Sequence, residues 1–207
     1  MAEPEPGTLH REIFENIYAQ KAPWDIGRPQ PVMEAAVQTI AGSVLDIGCG
    51  PGDNALFIAA RGNAVTGCDF LEHPIEVAKQ KAAARGLKAR FVLKDALKLD
   101  DWDQRFDNAI DSGLFHVFSD ADRSRYVRGL RTVVKSGGRL LLLCFNEHTP
   151  GNAGPRRVTQ KELRDAFAQG WEILSIQPAE FETRVESRAL FEGQNPKGWF
   201  MIAKRLA

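Results

Sequence analysis

The stretch Val44-Leu45-Asp46-Ile47-Gly48-Cys49-Gly50-Pro51-Gly52 is a short apolar run that leads into three closely spaced glycines. The run is typical of a buried strand, and the residues that follow favour a helix. Glycines permit a tight turn and let a ligand approach the backbone, because no Cβ stands in the way. The helix start offers unpaired N–H groups. The stretch predicts a strand–turn–helix unit that binds a nucleotide-like ligand, the alternative being a structural turn that binds nothing.

The spacing of the glycines separates two classes of ligand. A dinucleotide site has the pattern GxGxxG, but Asp53 stands where the third glycine would be. The carboxylate of Asp53 would also repel a pyrophosphate. Asp69 follows 23 residues after Asp46, at the end of the next predicted strand, where a carboxylate can accept both hydroxyls of a ribose. A ribose without an adjoining pyrophosphate indicates an adenosyl ligand.

Strand and helix patterns alternate after this unit. Helical segments separate apolar runs that are typical of strands, at 64–68, 90–93, 106–110 and 139–145. Because strands that alternate with helices imply right-handed crossovers and a parallel sheet, the pattern predicts a doubly wound α/β fold.

The two ends of the chain differ from this pattern. Residues 9–18 and 32–40 favour two short helices before the first strand, and Thr159 begins a further helix. The runs 171–176 and 198–203 favour strands, but the residues between them lack a strong helical period. We therefore expect these two strands to form an antiparallel pair that closes the edge of the sheet.

Composition limits the class of protein. The 207 residues suit one domain, and 27 basic residues balance 27 acidic ones, so no overall charge attracts nucleic acid or an anionic membrane. The cysteines Cys49, Cys68 and Cys144 have no CxxC spacing and lie in apolar runs, which favours free thiols in a reducing compartment. Residues 1–7 lack a signal-peptide pattern, and no apolar run is long enough to cross a membrane. We expect a cytoplasmic protein.

Five motifs, taken in order, resemble those of the class I S-adenosylmethionine-dependent methyltransferases. They are the glycine-rich stretch 44–52, Cys68-Asp69-Phe70, Lys94-Asp95-Ala96, 106–112 and Ser136-Gly137-Gly138. The resemblance implies a Rossmann-like sheet of seven strands, mostly parallel with an antiparallel last strand. It also implies S-adenosyl-L-methionine as cofactor and S-adenosyl-L-homocysteine as product.

The resemblance assigns roles to the matching residues of the first two motifs. Gly48 and Gly50 would pack beside the methionine moiety of the cofactor, and Asp46 belongs to the same motif. Asp69 would hold the ribose. Phe70 would lie against the adenine, the alternative being a plain core residue.

The later motifs complete the expected cofactor site. Asp95 would accept a hydrogen bond from the exocyclic amine of adenine beside the Ala96 N–H, the alternative being a helix cap. Asp111 and Ser112 would face the methionyl ammonium. Asp107, inside a strand, is expected to be structural.

A narrower resemblance lies outside the cofactor motifs. The segments Ala22-Pro23-Trp24-Asp25-Ile26-Gly27-Arg28-Pro29-Gln30-Pro31 and Asp111-Ser112-Gly113-Leu114-Phe115-His116-Val117-Phe118 are similar to those of thiopurine and thiol methyltransferases, and of bacterial enzymes that methylate heterocyclic toxins or hydroxyquinolones. In that branch the N-terminal segment folds over the cofactor, and Trp24 would lie near its methionine end. A cation–π attraction to the sulfonium gives a physical reason, the alternative being that Trp24 staples the N-terminal helix.

The acceptor is expected to be a small molecule whose heterocyclic nitrogen, hydroxyl or thiol receives the methyl group by in-line displacement. His116, just beyond the fourth strand, is the best candidate for a catalytic general base, the alternative being a core or helix-start histidine. No carboxylate and histidine residues are spaced to bind a metal. The segment 111–114 replaces the Asn/Asp-Pro-Pro-aromatic signature of nucleic-acid N-methyltransferases, so no nucleic-acid substrate is expected.

We interpret residues 1–207 as a single methyltransferase domain. It would have a helical lid at 1–42, a cofactor-binding core at 43–145, and a substrate-side helix and strand pair at 146–207. Two other functions fit the same residues less well. A non-catalytic sensor or scaffold would bind the cofactor without turnover. An NAD(P)-dependent oxidoreductase would need the third glycine that Asp53 replaces.

Overall fold

The computed structural model describes residues 11–20 and 22–207. The strands are β1 Val44–Ile47, β2 Val65–Asp69, β3 Arg90–Leu93, β4 Phe106–Ser112, β5 Val134–Phe145, β6 Trp171–Glu180 and β7 Lys197–Arg205. The α-helices are α1 Arg11–Ala19, α2 Pro31–Ala36, α3 Asp53–Ala59, α4 Glu72–Ala84, α5 Asp120–Val133 and α6 Gln160–Ala166. Short 3-10 helices cover Val37–Thr39, Ala96–Asp101, Phe115–Val117 and Val185–Phe191. None of the helices in the described ranges is long and apolar enough to span a bilayer.

The strands form one sheet in the order β3-β2-β1-β4-β5-β7-β6. The pairs among β1 to β5 are parallel, whereas β7 runs antiparallel to both β5 and β6. The prediction of a doubly wound, mostly parallel sheet with an antiparallel last strand is therefore confirmed. The antiparallel pair is also confirmed, with β7 inside the sheet and β6 at its edge.

The register of the parallel strands aligns their carboxyl ends. Ile47 at the end of β1 lies beside Cys68 of β2 and Asp111 of β4. Every residue of β1 and β2 is buried, and burial of each large apolar side chain contributes about 1.5–3 kcal/mol. The carboxyl ends of these strands therefore form one firmly packed edge, where ligands bind in folds of this kind.

Local capping contacts set the starts of two helices. The Ser119 hydroxyl accepts a hydrogen bond from the Asp122 N–H at the start of α5. Thr159 and Glu162 form a reciprocal capping box on α6, which confirms the helix predicted from Thr159. Leu9, which the predicted helix 9–18 includes, lies outside the described residues.

Four strands, β4, β5, β6 and β7, are longer than predicted. β5 begins at Val134 and includes Ser136-Gly137-Gly138, whereas the predicted strand begins at residue 139. A Cβ on Gly138 would lie 2.5 Å from the carbonyl oxygen of Asp107, so the glycine lets β5 pass close to β4. β6 continues to Glu180 because β7 pairs with it along its length.

Candidate active site

Three buried aspartates meet at the carboxyl edge of the sheet, and we call them the aspartate cluster: Asp46 in β1, Asp69 in β2 and Asp111 in β4. Asp46 accepts a hydrogen bond on Oδ2 from the Ala55 N–H of α3 at 3.1 Å. Burial raises the pKa of Asp46 to about 7, and the nearby carboxylates of Asp111 and Asp69 add to the rise. The cluster thus concentrates negative charge where the sequence predicts the cofactor.

Asp69 links the glycine-rich turn to the end of β2. Its Oδ2 accepts a hydrogen bond from the Gly50 N–H and its Oδ1 from the Leu71 N–H, both at 3.0 Å. Burial raises the pKa of Asp69, and these backbone hydrogen bonds oppose the rise. Because each carboxylate oxygen can accept a further hydrogen bond, the side chain retains the capacity to bind the two hydroxyls of a ribose.

Asp111 is fully buried at the end of β4. Its Oδ1 accepts hydrogen bonds from the Leu114 and Phe115 N–H groups at 2.8 and 3.3 Å, and its Oδ2 from the Tyr126 hydroxyl at 2.9 Å. Burial raises the pKa of Asp111 to about 6 against these hydrogen bonds. Ser112, the next predicted residue, is half-buried. A cationic ligand at this edge would favour the ionised form of the cluster.

Two positions of the glycine-rich turn accept only glycine. Gly48 and Gly50 have φ angles of +66° and +50°, which other residues seldom adopt. A Cβ on Gly48 would come within 3.2 Å of Leu114, and one on Gly50 within 2.7 Å of the Tyr18 hydroxyl. The turn is bordered by the carboxylates of the aspartate cluster, which fits S-adenosylmethionine, since its sulfonium and ammonium groups are cationic.

Phe70 follows Asp69 and lies at the surface of the same edge. It is half-buried. Phe14 of α1 packs edge to face on it with ring centroids 5.8 Å apart. Arg11 lies over the ring, 4.9 Å from its centroid, and donates a hydrogen bond to the Phe70 carbonyl. Phe70 is therefore no plain core residue, and α1 covers it.

Asp95 lies after β3, at the start of a 3-10 helix. One of its carboxylate oxygens accepts a hydrogen bond from the Leu97 N–H at 2.9 Å, which confirms the helix-cap alternative. Ala96 is the first residue of that helix. A cap uses one oxygen of the carboxylate, so the contact to adenine stays a prediction that the cap does not exclude.

Tyr18 of α1 connects Trp24 to the glycine-rich turn. The two rings meet edge to face with centroids 6.2 Å apart. Trp24 remains 36% exposed. The sequence interpretation missed Tyr18 as a site residue, because the helical period marks it only as one apolar position in 9–18.

The segment that carries Trp24 is fastened to a distant part of the chain. Gln30 donates to the Glu182 carbonyl at 3.0 Å and accepts from the Glu182 N–H at 2.6 Å. Arg28 pairs with the Glu182 carboxylate at 2.5 Å, and the Arg184 N–H donates to the Pro23 carbonyl at 3.0 Å. We call residues 22–31 the strap. Its partners are at least 152 residues away in sequence, so no local signal could identify them.

His116 lies in the 3-10 helix after β4 and is 4% exposed. Its Nδ1 accepts a hydrogen bond from the Phe145 N–H at 2.7 Å, and its ring centroid lies 4.5 and 5.7 Å from those of Phe145 and Phe181. Burial lowers the pKa of His116 to about 3, and the charge of Arg123 adds to the fall. Phe191 packs on Phe145, which completes an aromatic cluster at the carboxyl ends of β4 and β5.

The structure brings the predicted cofactor residues to one edge of the sheet: Trp24, Asp46, Gly48, Gly50, Asp69, Phe70, Asp95, Ala96, Asp111 and Ser112. Asp107 lies at the opposite edge, where it accepts from Ser43 and pairs with Lys135. Asp53, which breaks the dinucleotide pattern, pairs with Lys81. Within residues 11–20 and 22–207, no three His, Cys, Asp or Glu side chains are grouped to hold a metal ion.

Known proteins are similar to this chain in sequence and in fold. A family model described as a methyltransferase domain matches residues 44–138. The 2-heptyl-1-hydroxyquinolin-4(1H)-one methyltransferase of Mycobacteroides abscessus is 33% identical over 182 residues, which cover 82% of this chain and 80% of that protein. The probable thiol methyltransferase 2 of Arabidopsis thaliana is 26% identical, with 76% of this chain and 72% of that protein covered.

A solved structure extends the similarity to the whole fold. It comes from work on the conversion of a disulfide bond into a thioacetal group during echinomycin biosynthesis. It has a TM-score of 0.82 and 33% identity, and covers 95% of this chain and 93% of its own. Together with the glycine-rich cradle and the aspartate cluster, these similarities show that the chain belongs to the class I S-adenosylmethionine-dependent methyltransferases.

Proposed function

We propose that this methyltransferase acts on a small aromatic molecule and methylates a heteroatom that ionises readily, such as a heterocyclic hydroxyl or a thiol. The aromatic cluster around His116 is the observation that carries the proposal, because aromatic rings pack well against flat apolar molecules. A Cβ on Gly113, two residues after Asp111, would lie 3.4 Å from Phe181 and 3.7 Å from Nε2 of His116. The names of the hydroxyquinolone and thiol methyltransferases also support it.

Bound at the glycine-rich turn, S-adenosylmethionine supplies an electrophilic methyl group. The residues of the chain then have two tasks, which are to hold the acceptor in line and to exclude water. The strap supports the first task, since its contacts with Glu182 and Arg184 fix the segment that carries Trp24. The burial of the aromatic cluster supports the second.

The surroundings of His116 favour an acceptor that needs little help from a base. Because Nδ1 accepts the Phe145 N–H, the proton of the neutral ring is assigned to Nε2. A ring whose pKa is about 3 holds an added proton weakly at neutral pH. The role of His116 as a general base stays a prediction, and an acceptor that is already ionised would not require it.

We further propose a cytoplasmic location and the division into lid, core and substrate-side segments. Cys49, Cys68 and Cys144 are free and buried, as is usual in a reducing compartment. α1 and the strap lie over the cofactor edge, which supports a lid. Phe181 and Phe191 belong to the connection between β6 and β7 in sequence, and both rings are part of the aromatic cluster. Their position supports a substrate-side role for the last segment.

Turnover with a panel of small acceptors tests the proposed function. We expect S-adenosylhomocysteine to be released with a hydroxyquinolone or an aromatic thiol, and about tenfold more slowly with a heteroaromatic amine of similar size, since the neutral amine is the weaker nucleophile. Calorimetric titration with S-adenosylmethionine runs in parallel. Cofactor binding without turnover on any acceptor would favour the sensor or scaffold instead. Fastest turnover of the amine would contradict the ionised acceptor.

Replacing His116 with asparagine separates a base from a structural histidine. Asparagine can accept the Phe145 N–H but cannot take up a proton, so we expect kcat for an acidic acceptor to stay within about tenfold of the parent enzyme. His116→Phe leaves that buried N–H unpaired and is expected to cost about 1–3 kcal/mol of stability. The measurements are kcat/KM against pH and thermal unfolding. A loss of about 100-fold or more in His116→Asn, with a changed pH profile, would establish His116 as the base.

A further inference from the structure

Helix α1 is held on the protein mainly by residues of the cofactor edge. No residue of α1 is buried. Arg11 and Phe14 contact Phe70, and the Tyr18 hydroxyl lies over Gly50. A helix with so little buried surface depends on these few contacts, and they lie at the cofactor edge.

The Tyr18 hydroxyl lies over Gly50 in the glycine-rich turn. In the described part of the chain, the only atoms beyond the adjoining residues within 4 Å of a Cβ placed on Gly50 are the hydroxyl oxygen of Tyr18, at 2.7 Å, and its ring carbon, at 3.7 Å. Asp69 binds the Gly50 N–H from the other side. Whatever ligand lies on Gly50 therefore meets the Tyr18 hydroxyl.

The hydroxyl is a donor in this position. A tyrosine hydroxyl carries one proton that it can donate, and Tyr18 meets Trp24 through an edge-to-face contact of the two rings. Burial raises the pKa of Tyr18 well above its usual value, and the charge of Asp69 adds to the rise. The phenol therefore stays protonated at neutral pH.

The aspartate cluster leaves one part of the cofactor without a favourable partner. Its three carboxylates attract the sulfonium and ammonium groups but repel the methionyl carboxylate, which the cofactor carries on the same carbon as the ammonium. A neutral donor can satisfy that carboxylate without adding a charge that would compete for the aspartates. Tyr18 is such a donor, on the turn that holds the methionine moiety.

We infer that the Tyr18 hydroxyl donates a hydrogen bond to the methionyl carboxylate, and that Tyr18 therefore selects ligands that keep the amino-acid tail. The inference depends on the cofactor of the family and not on the acceptor proposed above. It also gives α1 a role in binding, because Tyr18, which covers Gly50, would contact the ligand directly.

Two ligands and two variants test this inference. S-adenosylmethionine and decarboxylated S-adenosylmethionine share the sulfonium and the amine and differ by the carboxylate alone. In calorimetric titrations we expect Tyr18→Phe to raise Kd for S-adenosylmethionine about tenfold, as for a hydrogen bond to a charged group, and to leave Kd for the decarboxylated ligand within about twofold. Ile13→Ala, which changes an exposed residue of the same helix, should alter neither value.

The outcomes are distinct. An equal loss of affinity for both ligands would overturn the inference, because Tyr18 would then act by holding α1 in place and not by reading the carboxylate. Unchanged affinity for both would overturn it as well. Circular dichroism of the variants shows that they are folded, and Tyr18→Phe retains the ring that packs on Trp24. Since no acceptor is present in these titrations, the result is independent of the proposed function.

Discussion

Replacing Asp69 with alanine is expected to weaken the binding of S-adenosylmethionine by at least about 100-fold. Two hydroxyls of the ribose would lose a charged acceptor, and hydrogen bonds to charged groups contribute about 1.5–3 kcal/mol each, with tenfold in Kd for each 1.4 kcal/mol. The variant also removes the partner of the Gly50 and Leu71 N–H groups, so the turn itself is loosened. Isothermal titration calorimetry measures the change.

A second aspartate provides the matched control. Asp107→Ala removes a carboxylate from β4 at the opposite edge of the sheet, where it pairs with Lys135 and Ser43, and is expected to leave Kd unchanged. Asp69→Asn keeps one acceptor oxygen and guards against a variant that fails to fold. Binding by folded Asp69→Asn and Asp69→Ala at the parent affinity would refute the ribose role of Asp69.

Affinity for S-adenosylmethionine is expected to rise steeply with pH, between about pH 5.5 and pH 7.5. The pKa values of Asp46 and Asp111, about 7 and about 6, leave both groups partly protonated at the lower pH. A cationic ligand favours their ionised forms, so binding releases protons, and each released proton changes Kd about tenfold per pH unit. S-adenosylhomocysteine, which lacks the sulfonium charge, should show a shallower dependence.

Proton release can be measured directly by calorimetry in buffers of different ionisation enthalpy.

The pH dependence of thermal unfolding would not isolate the aspartate cluster, because the aspartates and His116 change the stability of the fold in opposite directions. The raised pKa values of Asp46 and Asp111 stabilise the fold below about pH 4, and this contribution is lost as pH rises through 6 to 7. The lowered pKa of His116 stabilises it above about pH 6.5, and that contribution is lost as pH falls towards 3. A Kd that is independent of pH would contradict the role of the cluster.

The cofactor edge could be predicted because its signals are local in sequence. The glycines of 44–52 and the position of Asp69 each follow directly from a strand pattern. Parallel pairing then brings the ends of successive strands together without further information. Asp107 was expected to be structural because it stands inside a strand, and it lies at the other end of β4.

The contacts that close the site could not be predicted in this way. Tyr18 meets Gly50, and Gln30 meets Glu182, only after the sheet has formed, and neither pair has a spacing that sequence periodicity can detect. The position of His116 just beyond β4 could be predicted from the sequence. Which of its ring nitrogens accepts a hydrogen bond could not, because the donor is the backbone N–H of Phe145 in β5.

The sequence also contains a signal for the position of β7 inside the sheet, although the sequence analysis considered only the length and spacing of the strands. Residues 199–203 are continuously apolar, and in the structure five of the nine residues of β7 are buried. β6 instead alternates exposed and partly buried residues. A continuous apolar run is typical of an inner strand and an alternating run of an edge strand, which agrees with the observed order.

The order of β6 and β7 also matters while the chain is being synthesised. Each of β2, β3, β4 and β5 pairs with a strand that the ribosome has already made, but β6 pairs with β7, which follows it. At about 5–20 residues per second, β6 waits on the order of a second or more for its neighbour to emerge. Its exposed Glu172, Gln177 and Glu180, with Pro178 lacking an N–H, discourage pairing with another nascent chain during that interval.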